Sequence, residues 1–118
     1  MPKLIMNGTG TVEDISNKIK TAVMKSGGDC KIIENVTHQY SAYFVKMMVF
    51  EKYVGRTTNL IHFTVLVSGA NDVVVVDAVA TEGANSMLSR FSWGIEEDYI
   101  YVVSTLLTSL GFTPQEQN

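Results

Sequence analysis

Apolar residues along the chain follow two different spacings. In residues 12–25 and 94–110 they recur every three or four positions, whereas in residues 29–80 they tend to alternate with other residues. The first spacing places apolar side chains along one side of a helix, and the second places them on one face of a strand. The pattern therefore predicts two amphipathic helices that flank a continuous stretch of strands.

The strand-like stretch is punctuated by turn residues. Segments 54–58 and 68–72 carry Gly, Thr, Asn and Asp between runs rich in Val, Phe, Tyr and Ile. Such turns connect neighbouring antiparallel strands, and such runs favour a pleated surface. The predicted strands are Lys3–Met6, Cys30–His38, Tyr43–Tyr53, Thr58–Val67 and Val73–Thr81.

The ends of the two helices also have local signals. Thr11 is a suitable N-cap for the first helix. The second helix is predicted from about Gly94 to Leu110, with Ser92 as N-cap and the acids Glu96–Asp98 in its first turn, where the helix dipole favours negative charge. Gly111 and the following phenylalanine suit a left-handed helix ending with an apolar contact.

The order strand, helix, four strands, helix predicts the fold class. We expect an α+β domain of two layers, with an antiparallel sheet of about five strands and both helices on one face. This is the order of TATA-binding-protein-like and helix-grip folds, an analogy of topology that carries no function. The domain is predicted at residues 1–112, and residues 113–118 form a polar tail. The helix residues expected to pack on the sheet are Ile15, Ile19, Val103, Leu106 and Leu107.

Composition narrows the class of protein. Hydrophobic residues make up 46% of the 118 residues, enough for a core, and charged residues 18%. The formal net charge of −3 and the scattered lysines disfavour nucleic acid as a partner. No apolar run approaches the roughly 18 residues of a membrane helix. The single cysteine, Cys30, excludes an intramolecular disulfide and fits a reducing cytoplasm. We interpret it as a small residue at the start of a strand.

Three motifs resemble a family of small bacterial proteins of unknown function. The first is the strand "VFEKY" at Val49–Tyr53, followed by a glycine turn, and the second is a strand that matches at Asn59, Thr64 and Val67. The third is a loop that leads to a W-G-E-E motif, matched at Thr81, Gly83, Ser86, Trp93, Gly94, Glu96 and Glu97, with Ile95 inserted. The resemblance covers Phe44–Leu107. It implies a bacterial origin and no particular activity.

The predicted sheet has more apolar surface than two helices can cover. Both alternate sets of residues in the strands at 43–50, 60–67 and 73–80 are rich in Val, Leu, Met and Phe. An uncovered apolar face normally marks an interaction surface. The favoured hypothesis is a non-enzymatic interaction module that forms a homo-oligomer through this face or through an edge strand.

The segment 81–98 could serve a second kind of function. It is either a connector or the lid of a small-molecule pocket between sheet and helices, with residues 84–93 as the lid. The candidate ligand contacts are Ser86, Arg90 and Trp93 of this segment, together with His62 and Asp77 of the sheet. The sequence has no phosphate-binding glycine motif, no metal-ligand spacing and no cofactor motif. We therefore expect neither a metal nor a cofactor.

A third hypothesis is an enzyme, and it ranks below the other two. His62 and Asp77 lie on neighbouring predicted strands, where they form either a polar cross-strand pair or an oriented base. No nucleophile motif accompanies them, so no catalytic residue is assigned.

Overall fold

The computed structural model describes residues 3–26, 30–53, 60–82 and 89–115. These residues form β1 (Lys3–Thr9), α1 (Val12–Lys25), β2 (Cys30–Tyr40), β3 (Tyr43–Tyr53), β4 (Leu60–Ala70), β5 (Val73–Glu82), α2 (Ser89–Ser109) and β6 (Thr113–Pro114). The predicted α+β class and element order are confirmed. The structure adds a sixth strand, because Thr113 and Pro114 of the predicted tail pair with Asn7 and Met6 of β1.

The strands form one open sheet in the order β2-β3-β4-β5-β1-β6, and every neighbouring pair is antiparallel. β2 to β5 form a meander, and β1 joins it beside β5. Since four antiparallel steps separate β1 from β2, these two strands point the same way. The connection between them, which contains α1, therefore returns the chain to the opposite end of the sheet before β2 begins, as a connection between parallel strands must.

Both helices lie on one face, which we call the covered face. α1 packs on β3 and β4, and α2 packs on β5 and β1. Apolar side chains between these layers are fully buried, among them Met48 and Phe50 of β3, Phe63 of β4 and Val76 of β5. From the helices, Ile15, Ile19, Val103 and Leu107 are buried as expected, whereas Leu106 is half-buried.

The helix ends follow their local signals in two of three cases. The Thr11 hydroxyl accepts a hydrogen bond from the Asp14 amide at 3.1 Å, which confirms the predicted N-cap of α1. Gly111 has φ +90°, and the Phe112 amide donates to the Leu107 carbonyl at 2.9 Å, which completes the predicted helix ending.

The predicted start of α2 is wrong. The helix begins at Ser89, so Ser92 lies inside it, and its first turn contains no acidic residue. Residues 89–93 read as a loop because "SRFSW" lacks a clear apolar period. Extending an established helix costs little free energy, so residues 89–93 become part of α2 although their sequence favours a helix only weakly.

The β4–β5 hairpin sets the register of the sheet centre. Asn71 and Asp72 form its two-residue turn with φ of 53° and 67°, a turn whose twist suits a hairpin. β4 continues to Ala70, three residues beyond its predicted end. Gly69 permits this, because a Cβ there would lie 2.1 Å from the Val73 carbonyl oxygen.

Candidate functional site

The second face of the sheet, which we call the open face, has no described element packed on it. Its side chains lie in rows across the strands, because antiparallel partners stand side by side. The central row consists of Val36, Met47, Leu66, Asp77 and Ile5, in order from β2 to β1. The adjacent row consists of Glu34, Val49, Thr64, Val79 and Lys3.

Apolar side chains are concentrated in the two central rows of the open face, and much of this face remains in contact with solvent. The central side chains Met47, Val49 and Leu66 are half-buried by their own neighbours in the sheet alone. Toward the hairpin turns the exposure increases, to 68% for Tyr40 and 56% for Val73. The uncovered apolar face that the sequence predicted is therefore present among the described residues.

A charged row crosses the opposite end of the open face. Lys31, Glu51 and His62 are successive cross-strand partners on β2, β3 and β4. Glu51 Oε1 lies 3.8 Å from Lys31 Nζ, and Glu51 Oε2 lies 3.3 Å from His62 Nε2. The Glu51 side chain is only 14% exposed, whereas those of Lys31 and His62 are 63% and 35% exposed. The partly buried carboxylate thus has a basic group on each side.

The predicted pairing of His62 with Asp77 is wrong. β4 and β5 are neighbours as expected, but the hairpin register places His62 opposite Thr81 and Asp77 opposite Leu66. The two side chains share the open face and stand four residues apart along the strands, about 13 Å at roughly 3.3 Å per residue. His62 contacts Glu51 instead, so the proposed histidine–aspartate base is absent.

Sequence reasoning missed Glu51, which lies in the strand motif VFEKY and had no assigned role. A hairpin pairs residues whose numbers have a constant sum. The predicted turn at 54–58 is centred on residue 56 and would pair Glu51 with Ile61, whereas the observed partner of Glu51 is His62. The turn position therefore missed the register by one residue and did not indicate the Glu51–His62 contact.

The other predicted ligand contacts lie outside the described side chains. Ser86 falls between β5 and α2, outside the described residues. Arg90 and Trp93 lie in the first part of α2, where the structure describes the backbone alone. Their role as lid residues stays a prediction, although the helix now contains part of the segment assigned to the lid.

A second polar cluster lies beneath α2, on the covered face. Tyr99 is 3% exposed, and its ring stacks on Phe63 at 5.4 Å between centroids. The Lys52 ammonium lies 5.8 Å from the centroid of the same ring. Cys30, the cross-strand partner of Lys52, is half-buried beside them. Burial raises the pKa of Tyr99, and the Cys30 thiol raises that pKa further.

A groove of about 520 Å³ opens between the start of α1 and the β2–β3 hairpin. Its lining combines the apolar Val12 and Phe44 with the charged Glu13 and Lys46. The groove lies at the end of the sheet near the Asn71–Asp72 turn. Because β5 runs from that turn to Glu82, the segment that follows β5 starts at the opposite end of the sheet.

Two further features concern metal binding and the crossing of a membrane. These residues contain no group of three or more His, Cys, Asp or Glu side chains that could hold a metal ion. They also contain no helix with the length and apolar character needed to cross a membrane. The chemistry of the described part is therefore that of an apolar sheet face, a charged row and a buried tyrosine cluster.

These features define a small two-layer α+β domain with one open apolar sheet face. Residues 1–111 match a family of unknown function, DUF6054. Since the match covers nearly the entire chain, the protein belongs to this family, in line with the resemblance found in its motifs. Among curated proteins, none matches the chain.

Proposed function

We propose that the protein is a non-enzymatic interaction module that forms a homodimer through the open face. The observation that carries this proposal is the pair of half-buried rows centred on Met47, Leu66 and Val49, which no described element covers. A second sheet packed face to face on these rows would remove apolar side chains from water, and this burial is the main driving force of association.

The size of the open face supports a second copy as its occupant. Five strands at about 4.8 Å spacing and roughly ten residues of about 3.3 Å give a face of roughly 800 Å². A stable interface buries about 800 Å² on each partner. The face is therefore large enough for a specific dimer without a contribution from other surfaces.

The charges at the edges also support self-association. The row next to the central one begins with the exposed Glu34 on β2 and ends with the exposed Lys3 on β1. Suppose that a two-fold axis parallel to β4 lies between the two sheets of the dimer. Each row of one copy then lies opposite the same row of the other copy, and the strand order is reversed, so β2 of one copy lies opposite β1 of the other. Glu34 of each copy then faces Lys3 of the other, so both edges gain opposite charges.

One residue of the central row opposes burial. Asp77 stands between Leu66 and Ile5, and face-to-face packing would remove water from its carboxylate. Desolvating a carboxylate without a partner is costly. Asp77 therefore weakens the proposed dimer and keeps the association reversible.

The proposal predicts opposite effects for two substitutions in the same row. Met47→Glu places a second carboxylate opposite Asp77 of the other copy and should raise the dimer dissociation constant more than tenfold, about 1.4 kcal/mol. Asp77→Asn removes the opposing charge and should lower that constant. Sedimentation velocity across a wide concentration range measures both. A wild-type chain that stays monomeric at the highest concentration contradicts the proposal.

A matched control makes the same chemical change on another surface. Met24 is an exposed residue of α1, 39% accessible, so Met24→Glu should leave the dimer unchanged. A separate pair of substitutions tests the orientation, because Lys3→Glu should weaken the dimer and adding Glu34→Lys should restore it. Equal effects of Met24→Glu and Met47→Glu would refute the open face as the interface.

A second candidate function is binding of a small molecule. The groove between α1 and the β2–β3 hairpin has a volume of about 520 Å³, within the roughly 300–1,000 Å³ of ligand pockets. Its lining offers one aromatic ring and charges of both signs. This groove and a pocket lidded by residues 84–93 are separate versions of the candidate, because they belong to opposite ends of β5.

A metabolite screen by thermal shift tests both versions. Binding in the groove should disappear in Phe44→Ala and persist in Arg90→Ala. Binding beneath the segment 84–93 should change the fluorescence of Trp93 and should disappear in Arg90→Ala. A panel that produces neither a thermal shift nor a fluorescence change would leave the dimer as the favoured function.

A further inference from the structure

The buried hydroxyl of Tyr99 has an unusual environment. Its oxygen is inaccessible to water and forms no hydrogen bond within the described part of the chain. Burying a polar group without a hydrogen-bond partner is costly. Stacking on Phe63, with ring planes 18° apart, holds the tyrosine ring in place. An acceptor that reached this hydroxyl would therefore gain a hydrogen bond from it.

The neighbouring group is the thiol of Cys30. Cys30 packs against the core cluster that contains Tyr99, and its strand partner Lys52 lies over the Tyr99 ring, so the thiol lies beside the phenol. Burial and then the nearby thiol raise the pKa of Tyr99, although the phenol oxygen has no hydrogen-bond partner among the described residues. Cys30 begins the edge strand β2 and is only half-buried, so reagents in solution can approach its sulfur. An oxygen atom added to this sulfur would give the buried hydroxyl an acceptor.

We propose that Cys30 is a site of oxidation by hydroperoxides, and that the Tyr99 hydroxyl stabilises the resulting sulfenic acid by donating a hydrogen bond to its oxygen. The Cys30 sulfur, as the thiolate, attacks the outer oxygen of the hydroperoxide. An S–O bond forms and the O–O bond breaks. The sulfur is oxidised by two electrons, and the departing oxygen takes up the proton lost by the thiol and leaves as water or an alcohol.

Lys52 strengthens this assignment through its position. It is the cross-strand partner of Cys30, and its ammonium lies over the Tyr99 ring. Reactive cysteines occur in partly exposed surroundings that contain positive charge, whereas inert cysteines are buried among apolar groups. The reading of Cys30 as only a small residue at the start of a strand does not account for the buried hydroxyl beside it.

The test uses hydrogen peroxide as oxidant and dimedone, which reacts with sulfenic acids, as the trap. The wild-type chain should acquire one dimedone adduct, located at Cys30 by peptide mass spectrometry, and Cys30→Ser should acquire none. This labelling separates cysteine oxidation from oxidation of the six methionines. Absence of the adduct in the wild-type chain would overturn the proposal.

Delayed addition of dimedone, after the peroxide has been removed, measures the lifetime of the sulfenic acid. The lifetime in Tyr99→Phe should be about fivefold shorter than in the wild type, the factor that corresponds to one hydrogen bond of about 1 kcal/mol. Both chains should give the same short lifetime when unfolded in urea. Equal lifetimes in the folded wild type and folded Tyr99→Phe would refute the role of the hydroxyl.

Discussion

Two adjacent leucines of α2 provide a direct test of the two-layer packing. Leu107 is fully buried against the sheet, whereas Leu106 is half-buried at the margin of the core. Replacing either by alanine removes the same atoms from the same helix turn. The two substitutions therefore differ in burial and share their effect on helix propensity.

The expected losses follow from burial. Three carbon groups at about 0.8 kcal/mol each give about 2.4 kcal/mol for complete removal from the core. A residual cavity beneath α2 adds about 1–2 kcal/mol, because the surrounding structure relaxes only in part. Leu107→Ala should therefore lower the free energy of unfolding by about 4 kcal/mol. Leu106→Ala should lower the free energy of unfolding by about 1–1.5 kcal/mol, because only about half of this side chain is removed from water and its loss leaves little cavity.

Urea unfolding at one fixed protein concentration measures both losses, and the fixed concentration keeps any contribution of dimerisation constant. An unchanged dependence on urea would show that the variants unfold from the same compact state. Equal losses for Leu106→Ala and Leu107→Ala, or a loss below about 1 kcal/mol for Leu107→Ala, would refute the packing of α2 described above.

Three further predictions concern single side chains. The Ser16 hydroxyl is buried in α1 and has no hydrogen-bond partner among the described residues. Ser16→Ala should therefore raise the free energy of unfolding by about 0.5–1 kcal/mol. A measured decrease would mean that the hydroxyl has a partner. Gly69→Ala would place a Cβ 2.1 Å from the Val73 carbonyl oxygen. It should lower the free energy of unfolding, measured in urea, by about 3 kcal/mol or more. A loss below about 1 kcal/mol would show that the hairpin adjusts freely. The raised pKa of Tyr99 means that the folded state holds the phenol proton more tightly than the unfolded state does. Stability from this residue is therefore complete below pH about 10 and is lost as the pH rises further, by up to about 1.4 kcal/mol per pH unit. Comparing unfolding of the wild type and Tyr99→Phe above that pH isolates this loss, and parallel curves would contradict it.

The proposed dimer and the proposed oxidation use different faces of the sheet. Dimerisation would bury the open face around Met47, whereas oxidation would occur at Cys30, on the covered face at the edge strand β2. The two can therefore be separated by substitution. Met47→Glu should weaken association and leave dimedone labelling unchanged, whereas Cys30→Ser should abolish the labelling and leave association unchanged.

Several parts of the candidate site followed from local signals. The alternation of residues in β3, β4 and β5 defined the two sets of side chains, whereas the turn segments located the hairpins without fixing which residues stand opposite each other. The Thr11 and Gly111 caps were also readable, because capping depends on the residues within one turn of the helix end. These features share one physical basis, which is that all the atoms that decide them lie close together along the chain.

Other parts depended on contacts between distant segments. From Val73 to Ala80 both residue sets of β5 are apolar apart from Asp77, so the strand alone could not indicate which set would face the helices. That choice depends on where α1 and α2 pack, as do the position of β1 beside β5 and the pairing of Thr113 with Asn7. The approach of Tyr99 to Cys30 joins α2 to an edge strand almost seventy positions earlier in the chain. The sequence by itself determined the elements and several of their ends, whereas the tertiary structure decided the strand registers, which face is open and which side chains meet, because burial is a property of the assembled layers.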